Sequence, residues 1–121
     1  MPLQTAAKNL MLDALGGTNP TTPITHFSLH TGDPSTTGAL EVTGGSPAYA
    51  RKAVTWAAAA ASSKAINGTM PVFDVPACTV SWVGAFSALT GGTWLASFDV
   101  TDEVFAGQGT YTVTSASVSL T

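Results

Sequence analysis

The sequence predicts an all-β fold: a single β-sandwich-like domain of about six or seven short antiparallel strands with one short N-terminal α-helix. Apolar residues recur with helical spacing only before Gly16. Beyond Pro23 they alternate with a period of two, as they do in strands with one buried face. Turns rich in Gly and Pro separate these alternating runs at intervals of roughly 8–15 residues, a pattern typical of sandwiches and barrels.

The chain divides into three parts. Residues 1–17 are predicted to hold the helix, residues 18–23 form a linker, and residues 24–121 form the β-sandwich domain. Gly16-Gly17 ends the helical pattern, and the Thr/Pro-rich linker cannot continue it.

One apolar stripe follows the predicted helix. It consists of Ala7, Leu10, Met11, Ala14 and Leu15. A helix this short is marginal in isolation, so the stripe needs a surface to dock on. We therefore expect Leu10, Met11 and Leu15 to be assembly contacts, either with a neighbouring subunit or with an open sheet edge of the same domain.

The alternating runs predict strands at residues 24–30, 48–59, 69–75, 79–89, 93–100 and 109–121, with a long surface loop at 31–47. Residues 57–61 are all Ala and have helical propensity, but we favour extended chain ending near Ala61 because strongly β-forming residues precede them. Asn67-Gly68 is a hairpin signal. The apolar positions change from odd to even near Ser115, which a bulge or a strand crossing between sheets would explain.

The strand at 79–89 is the most apolar and is expected to be central, paired with 93–100 as a hairpin. Leu40 and Val42 are expected to pin the long loop, and the lone Cys78 to be a small buried apolar residue. The predicted core is Phe27, Leu29, Val54, Trp56, Phe73, Val80, Trp82, Phe86, Trp94, Phe98, Tyr111 and Val113.

The stretch HFSLHTGDP (26–34) holds both histidines of the chain. On a helix, His26 and His30 could bind one zinc ion, but on a strand four residues span about 13 Å. Zinc–nitrogen bonds of about 2 Å cannot bridge that distance. We predict no metal site here, and two half-exposed histidines with solvent or cross-strand partners.

The sequence gives no sign of an enzyme or of a cofactor site. It contains no nucleophile elbow and no phosphate-binding glycine motif. The adjacent carboxylates Asp102 and Glu103 are predicted to lie in a solvated loop or strand cap. Only four basic residues face seven acidic ones, for a net charge of −3, so nucleic-acid binding is not expected.

Membrane association is not expected either, because the longest apolar run, at 53–61, is far too short to span a bilayer. The first residues also lack the pattern of a secretory signal. Four aromatic residues could form a sugar-binding platform if their rings were exposed: Tyr49, Trp56, Trp82 and Trp94. Their alternation with small polar residues favours burial instead.

Four segments, in this order, resemble a family of small proteins encoded among the structural genes of actinobacterial tailed phages and prophages. They are THFSLHTGDPSTTGALEVTGGSPAYARKAVTW (25–56), FDVPA (73–77), VSWVGAFSALTGGTWLAS (80–97) and GQGTYTVTSASVSL (107–120). Members are commonly labelled tail fibre proteins or minor virion proteins. The resemblance implies a non-enzymatic virion component, synthesised and assembled in the bacterial host cytoplasm, with no catalytic residues.

A short domain without coiled-coil heptads is better suited to a capsid decoration or minor capsid protein than to a fibre shaft. A tail fibre or tail-associated subunit is the alternative, and a carbohydrate-binding adhesion module, with a host surface glycan as ligand, is a third. We expect the partners to be copies of the chain itself, in a trimer or ring, and virion proteins such as the major capsid protein or tail proteins.

Overall fold

The computed structural model describes residues 3–17, 23–61, 63–68, 70–114 and 116–119. Within them lie one helix and eight strands: α1 (Thr5–Leu15), β1 (His26–His30), β2 (Lys52–Ala53), β3 (Ser63–Ala65), β4 (Val72–Val75), β5 (Cys78–Phe86), β6 (Trp94–Phe105), β7 (Gly109–Thr112) and β8 (Ser117–Ser119). The all-β prediction with one short helix is confirmed.

A four-stranded sheet forms the centre of the domain, in the order β2-β1-β5-β6. All of its pairs are antiparallel, and the register of β1 on β5 runs from His26 opposite Phe86 to His30 opposite Trp82. The predicted hairpin of β5 and β6 is confirmed. Two-stranded ribbons, β3-β8 and β4-β7, complete the architecture.

Helix α1 docks at the β6 edge of this sheet. Leu3 forms a bridge to Ala96, and the Gln4 amide donates to the Leu95 carbonyl at 2.8 Å. These bonds aim the helix so that Ala7 is buried against the domain. The helix ends as predicted at Gly16, and Gly17 then takes a φ of +95°. Residues 18–22 of the predicted linker lie outside the described residues.

The main core lies on one face of the four-stranded sheet. Its buried members are Phe27, Leu29, Val42, Val54, Ile66, Phe73, Val75, Val80, Val83, Ala85, Ala96 and Val113. Phe73 of β4 is fully buried and stacks on Tyr49, with the ring centroids 6.2 Å apart. The β4-β7 ribbon and the chain after β2 therefore close this face.

Strict alternation failed at one point in β5. A bulge between Val80 and Trp82 shifts the register against β6, so that Val80 and Val83 both join the core. Trp82, which was placed in the core from sequence, is half-buried instead. It shares the second face of the sheet with His30, its cross-strand neighbour.

Phe86 and Trp94 are buried as predicted, but they pack against each other in a second cluster on that second face. The segment from Thr31 to Arg51 covers it. Gly38 makes the close approach possible: it has a φ of +75°, and a Cβ there would lie 2.9 Å from the Phe86 ring. Val42 pins the loop as expected, whereas Leu40 is exposed.

Several local predictions have clear outcomes. Residues 57–60 are not helical, as expected, and Ala61 lies in a turn with a φ of +51°. Asn67-Gly68 is not a hairpin turn, because the flanking β3 and β4 pair with β8 and β7 respectively. The change of apolar phase near the C-terminus marks a crossing between sheets, since β7 and β8 belong to different ribbons. Ser115 itself lies outside the described residues.

Candidate functional site

His30, the strongest candidate in the stretch 26–34, is fully buried, and the prediction of half-exposure was wrong. Its Nδ1 lies 2.7 Å from the Ala39 carbonyl oxygen, which can only accept, so Nδ1 carries the proton. Nε2 then accepts from the Ser28 hydroxyl at 2.8 Å. The ring also packs edge-on against Trp94, 5.3 Å between centroids. Sequence alone missed this enclosure because the loop that supplies Ala39 carries no pattern.

Burial lowers the pKa of His30, although the hydrogen bond to Ala39 works in the opposite direction. The ring is therefore neutral and holds the covering loop onto the sheet. His26 is half-buried, and its Nδ1 lies 2.9 Å from the hydroxyl of Thr25. Among the described residues, no group of three His, Cys, Asp or Glu side chains could hold a metal ion.

Arg51 is the centre of the largest polar network among the described residues. Its Nε and Nη2 each donate to one carboxylate oxygen of Glu41 at 3.0 Å. Nη1 donates to the carbonyls of Ala88 and Gly91 at 3.0 and 2.8 Å. The guanidinium also lies over the Phe86 ring, 3.4 Å from its centroid. One side chain thus ties the covering loop to the turn between β5 and β6.

Glu41 accepts a further hydrogen bond, from the Tyr49 hydroxyl at 2.8 Å. That hydroxyl in turn accepts from the Leu29 amide. Burial opposes ionisation of Glu41, but the hydrogen bonds from Arg51 and Tyr49 outweigh it and lower the pKa of the carboxyl group. The groups of this network bond to one another and to backbone groups of the fold, so the network stabilises the domain.

The predicted assembly contacts divide into two groups. Leu10 and Met11 are half-buried and line an apolar groove of about 450 Å³ beneath α1, together with Ile24 and Trp56. Leu15 points away from this groove and is 86% exposed. Leu10 and Met11 thus face the helix's own domain across this groove, whereas Leu15 faces away from it, and a role of the three in assembly stays a prediction.

A second groove, of about 610 Å³, lies between β6 and β7. Its lining includes the carboxylates Asp99, Asp102 and Glu103 of β6. Sequence analysis placed Asp102 and Glu103 in a loop or cap, but β6 continues to Phe105 and both are exposed strand residues. The polar residues Thr101, Asp102 and Glu103 show no alternation of polar and apolar side chains, so the predicted strand ended at residue 100. No cation among the described residues pairs with these carboxylates.

Most of the rings considered as a sugar platform are engaged in the fold. Trp56 donates to the Ile24 carbonyl and packs edge-on against Phe27, and Trp94 donates to the Ser35 carbonyl. Tyr49 stacks in the core. Of the four rings, that leaves only the half-buried Trp82, and a single ring does not form a sugar-binding platform.

Cys78 is half-buried and packs at the margin of the core, so it is less enclosed than predicted. Burial raises the pKa of its thiol, which disfavours the nucleophilic thiolate. The one helix in the described part of the chain, at 11 residues, is too short to cross a membrane.

Comparison with known proteins gives one match that covers nearly the whole chain. The family model described as "Podophage GP4 fiber I protein gp80" matches residues 2–121. A search of curated proteins finds no significant match. The family match agrees with the phage-fibre resemblance found from the four sequence segments.

Proposed function

Because the chain belongs to the family of podophage GP4 fiber I protein gp80 and is thus a structural component of a phage virion, we propose that it is a subunit of a tail fibre. The description of the family carries this proposal and favours the fibre over the capsid decoration that sequence analysis placed first. The resemblance to proteins of actinobacterial phages supports a host from that group.

The internal chemistry of the domain agrees with a structural role. His30 and the network of Arg51, Glu41 and Tyr49 have hydrogen-bond partners inside the fold, whereas the buried Ser81 hydroxyl has none among the described residues. The hydrogen-bonded groups fix one conformation of a long covering loop. A stable domain of this kind can act as a terminal or joining unit of a fibre, whereas a shaft needs extended repeats.

We further propose that the subunit functions as a homo-oligomer, either a trimer or a ring. Leu12 and Leu15 leave apolar surface on the outer side of α1. Apolar residues presented in this way mark contacts with other molecules more often than a charged helix face does. Symmetric repetition would multiply such small contacts into a firm attachment to the other tail proteins.

The location is tested by labelling intact particles. Antibodies against the purified protein, bound to gold, should mark the tail fibres of virions from the phage or prophage that encodes it. Labelling spread over the head would instead support the capsid decoration. If purified particles contain none of the protein by mass spectrometry, the virion role itself is wrong.

A further inference from the structure

The outer edge of β6 is an open sheet edge that carries a concentrated negative charge. Residues 3 and 4 occupy this edge only at Leu95 and Ala96. From Phe98 to Phe105, no backbone hydrogen bond from another described residue reaches it. A row of free amides and carbonyls of this length is a template for a further strand.

The space beside this edge is suited to a polypeptide strand. The groove of about 610 Å³ runs between β6 and β7, and among the described strands β7 pairs only with β4. Its lining includes the apolar side chains of Val83, Phe98 and Val113 as well as the carboxylates. An entering strand would therefore find hydrogen-bonding groups on one side and apolar surface below.

The charges decide which strand can enter. Asp99, Asp102 and Glu103 account for three of the seven acidic residues of the chain. Like charges placed opposite one another destabilise a strand pair, so two copies of this edge repel each other. A strand that carries a cation and no carboxylate is favoured.

The opposite edge of the same sheet has that character. There β2 bonds to β1 on one side only, and the chain from Ala50 to Ala53 receives no backbone hydrogen bond on its outer side from the described residues. The Lys52 side chain has no hydrogen bond or ion pair among them either. Its neighbours Ala50 and Ala53 are small and exposed, and small side chains pass easily into a groove.

We propose that the open β6 edge receives the β2 edge of a second copy of this chain, with Lys52 and Glu103 on the same face of the joined sheet, since each lies opposite a core residue, Phe27 and Val80 respectively. The contact is head-to-tail, because it joins two different edges. Repeated through successive copies, such a contact forms a ring or trimer with sheets continuous across the subunits when the rotation between copies closes, and an open filament when it does not. This inference rests on the proposed homo-oligomeric role and specifies the surface that would build it.

Charge reversal tests the contact. Sedimentation velocity of the full chain, over a range of protein and salt concentrations, should show self-association that high salt weakens. Lys52→Glu and Glu103→Lys should each raise the dissociation constant by at least about tenfold. The double variant restores opposite charges across a head-to-tail contact and should recover most of the loss.

Matched controls lie on α1. Lys8→Glu and Asp13→Lys make the same charge changes at exposed helix positions outside the segments 98–105 and 50–53, and should leave association through these edges unchanged. Hydrogen exchange of the unaltered protein gives an independent measurement: amides of residues 98–105 and 50–53 should become protected on association. A wild-type chain that stays monomeric, or reversal variants that assemble like wild type, would overturn the proposal.

These outcomes separate the contact from the function. If the chain forms oligomers that are insensitive to both reversals and shows no protection at these edges, the surface is wrong and the oligomeric role stands. If gold labelling fails on the virion while the charge series behaves as expected, the edge contact stands and the proposed function is wrong.

Discussion

Replacing Arg51 by Met tests whether one side chain holds the covering loop on the sheet. The variant keeps the aliphatic stem but removes four hydrogen bonds: two to Glu41 and two to the carbonyls of Ala88 and Gly91. It also removes the cation from above the Phe86 ring. Glu41 is left half-buried, with only the Tyr49 hydroxyl as a donor.

The magnitude follows from that geometry. Breaking a buried ion pair by removing one partner costs about 3–5 kcal/mol. The side chains of Arg51 and Glu41 are 10% and 22% exposed, and Glu41 keeps one donor, so water and Tyr49 offset part of this cost. We expect Arg51→Met to lower the free energy of unfolding by about 2–4 kcal/mol. At about 4 °C per kcal/mol, the melting temperature should fall by roughly 8–16 °C.

Urea unfolding followed by tryptophan fluorescence measures this change. Lys8→Met removes a cation from an exposed helical site and should alter stability by less than about 0.5 kcal/mol. In a Glu41→Gln background, the Arg51 substitution should cost at least about 1 kcal/mol less than in the wild type, because the charged partner is already gone. A loss below about 1 kcal/mol in the single variant would refute the role assigned to Arg51.

Three further outcomes follow from the two faces of the sheet. Gly84→Ala should lower stability by about 1–3 kcal/mol in thermal melts, because the new methyl group would overlap the Trp94 ring and lie 2.7 Å from His30 Nε2. Phe73→Ala, at a fully buried site, should cost about 3–5 kcal/mol in urea unfolding, whereas Trp82→Ala, at a half-buried one, should cost about 1–2 kcal/mol. Acidification should destabilise the protein through His30: its folded pKa lies below the unfolded value of 6.5, so its contribution is complete above that pH and is lost as pH falls below it.

Each outcome has a control. Gly107→Ala introduces a methyl group with nothing within 4 Å and should be neutral. Unfolding measured between about pH 6.5 and 5 isolates His30, because the stability that Glu41 contributes is lost only at lower pH. There His30→Asn should remove most of the pH dependence. Equal costs at Phe73 and Trp82, a harmless Gly84→Ala, or a pH dependence unchanged by His30→Asn would contradict the assignment of faces.

Local sequence patterns were enough to predict the elements with strong periodicity. The apolar stripe and the glycines after it predicted the position and the end of α1. Two apolar runs joined by a short Gly-containing turn predicted the β5–β6 hairpin. Strand β3 escaped detection because three residues cannot display a period, and the predicted strands at 48–59 and 109–121 were too long, since they contain only the short β2 and the separate β7 and β8. The register shift after Val80 puts Val80 and Trp82 on opposite faces of the sheet, and no residue type in that stretch signals it.

The environment of His30 was beyond local patterns for a different reason. Its burial depends on a loop fixed by the pairing of Glu41 with Arg51 and by the contact of Arg51 with Phe86, residues far apart in the chain. The period of two correctly predicted that both histidines lie on one face of the sheet, at the two ends of the same strand. It could not show that this face is covered, because loop closure is a tertiary event.

The distribution of charge limits how this subunit can recognise its partners. Only four basic and seven acidic residues are available, and Arg51 and Glu41 are used inside the fold. Recognition of a partner through a broad, oppositely charged surface would need more charged side chains than the surface of this chain retains. An open strand edge supplies directional donors and acceptors from the backbone itself, so it needs side-chain charge only to exclude wrong pairings. The acidic residues of β6 meet that requirement, and for this reason we expect assembly through strand edges rather than through a charged face.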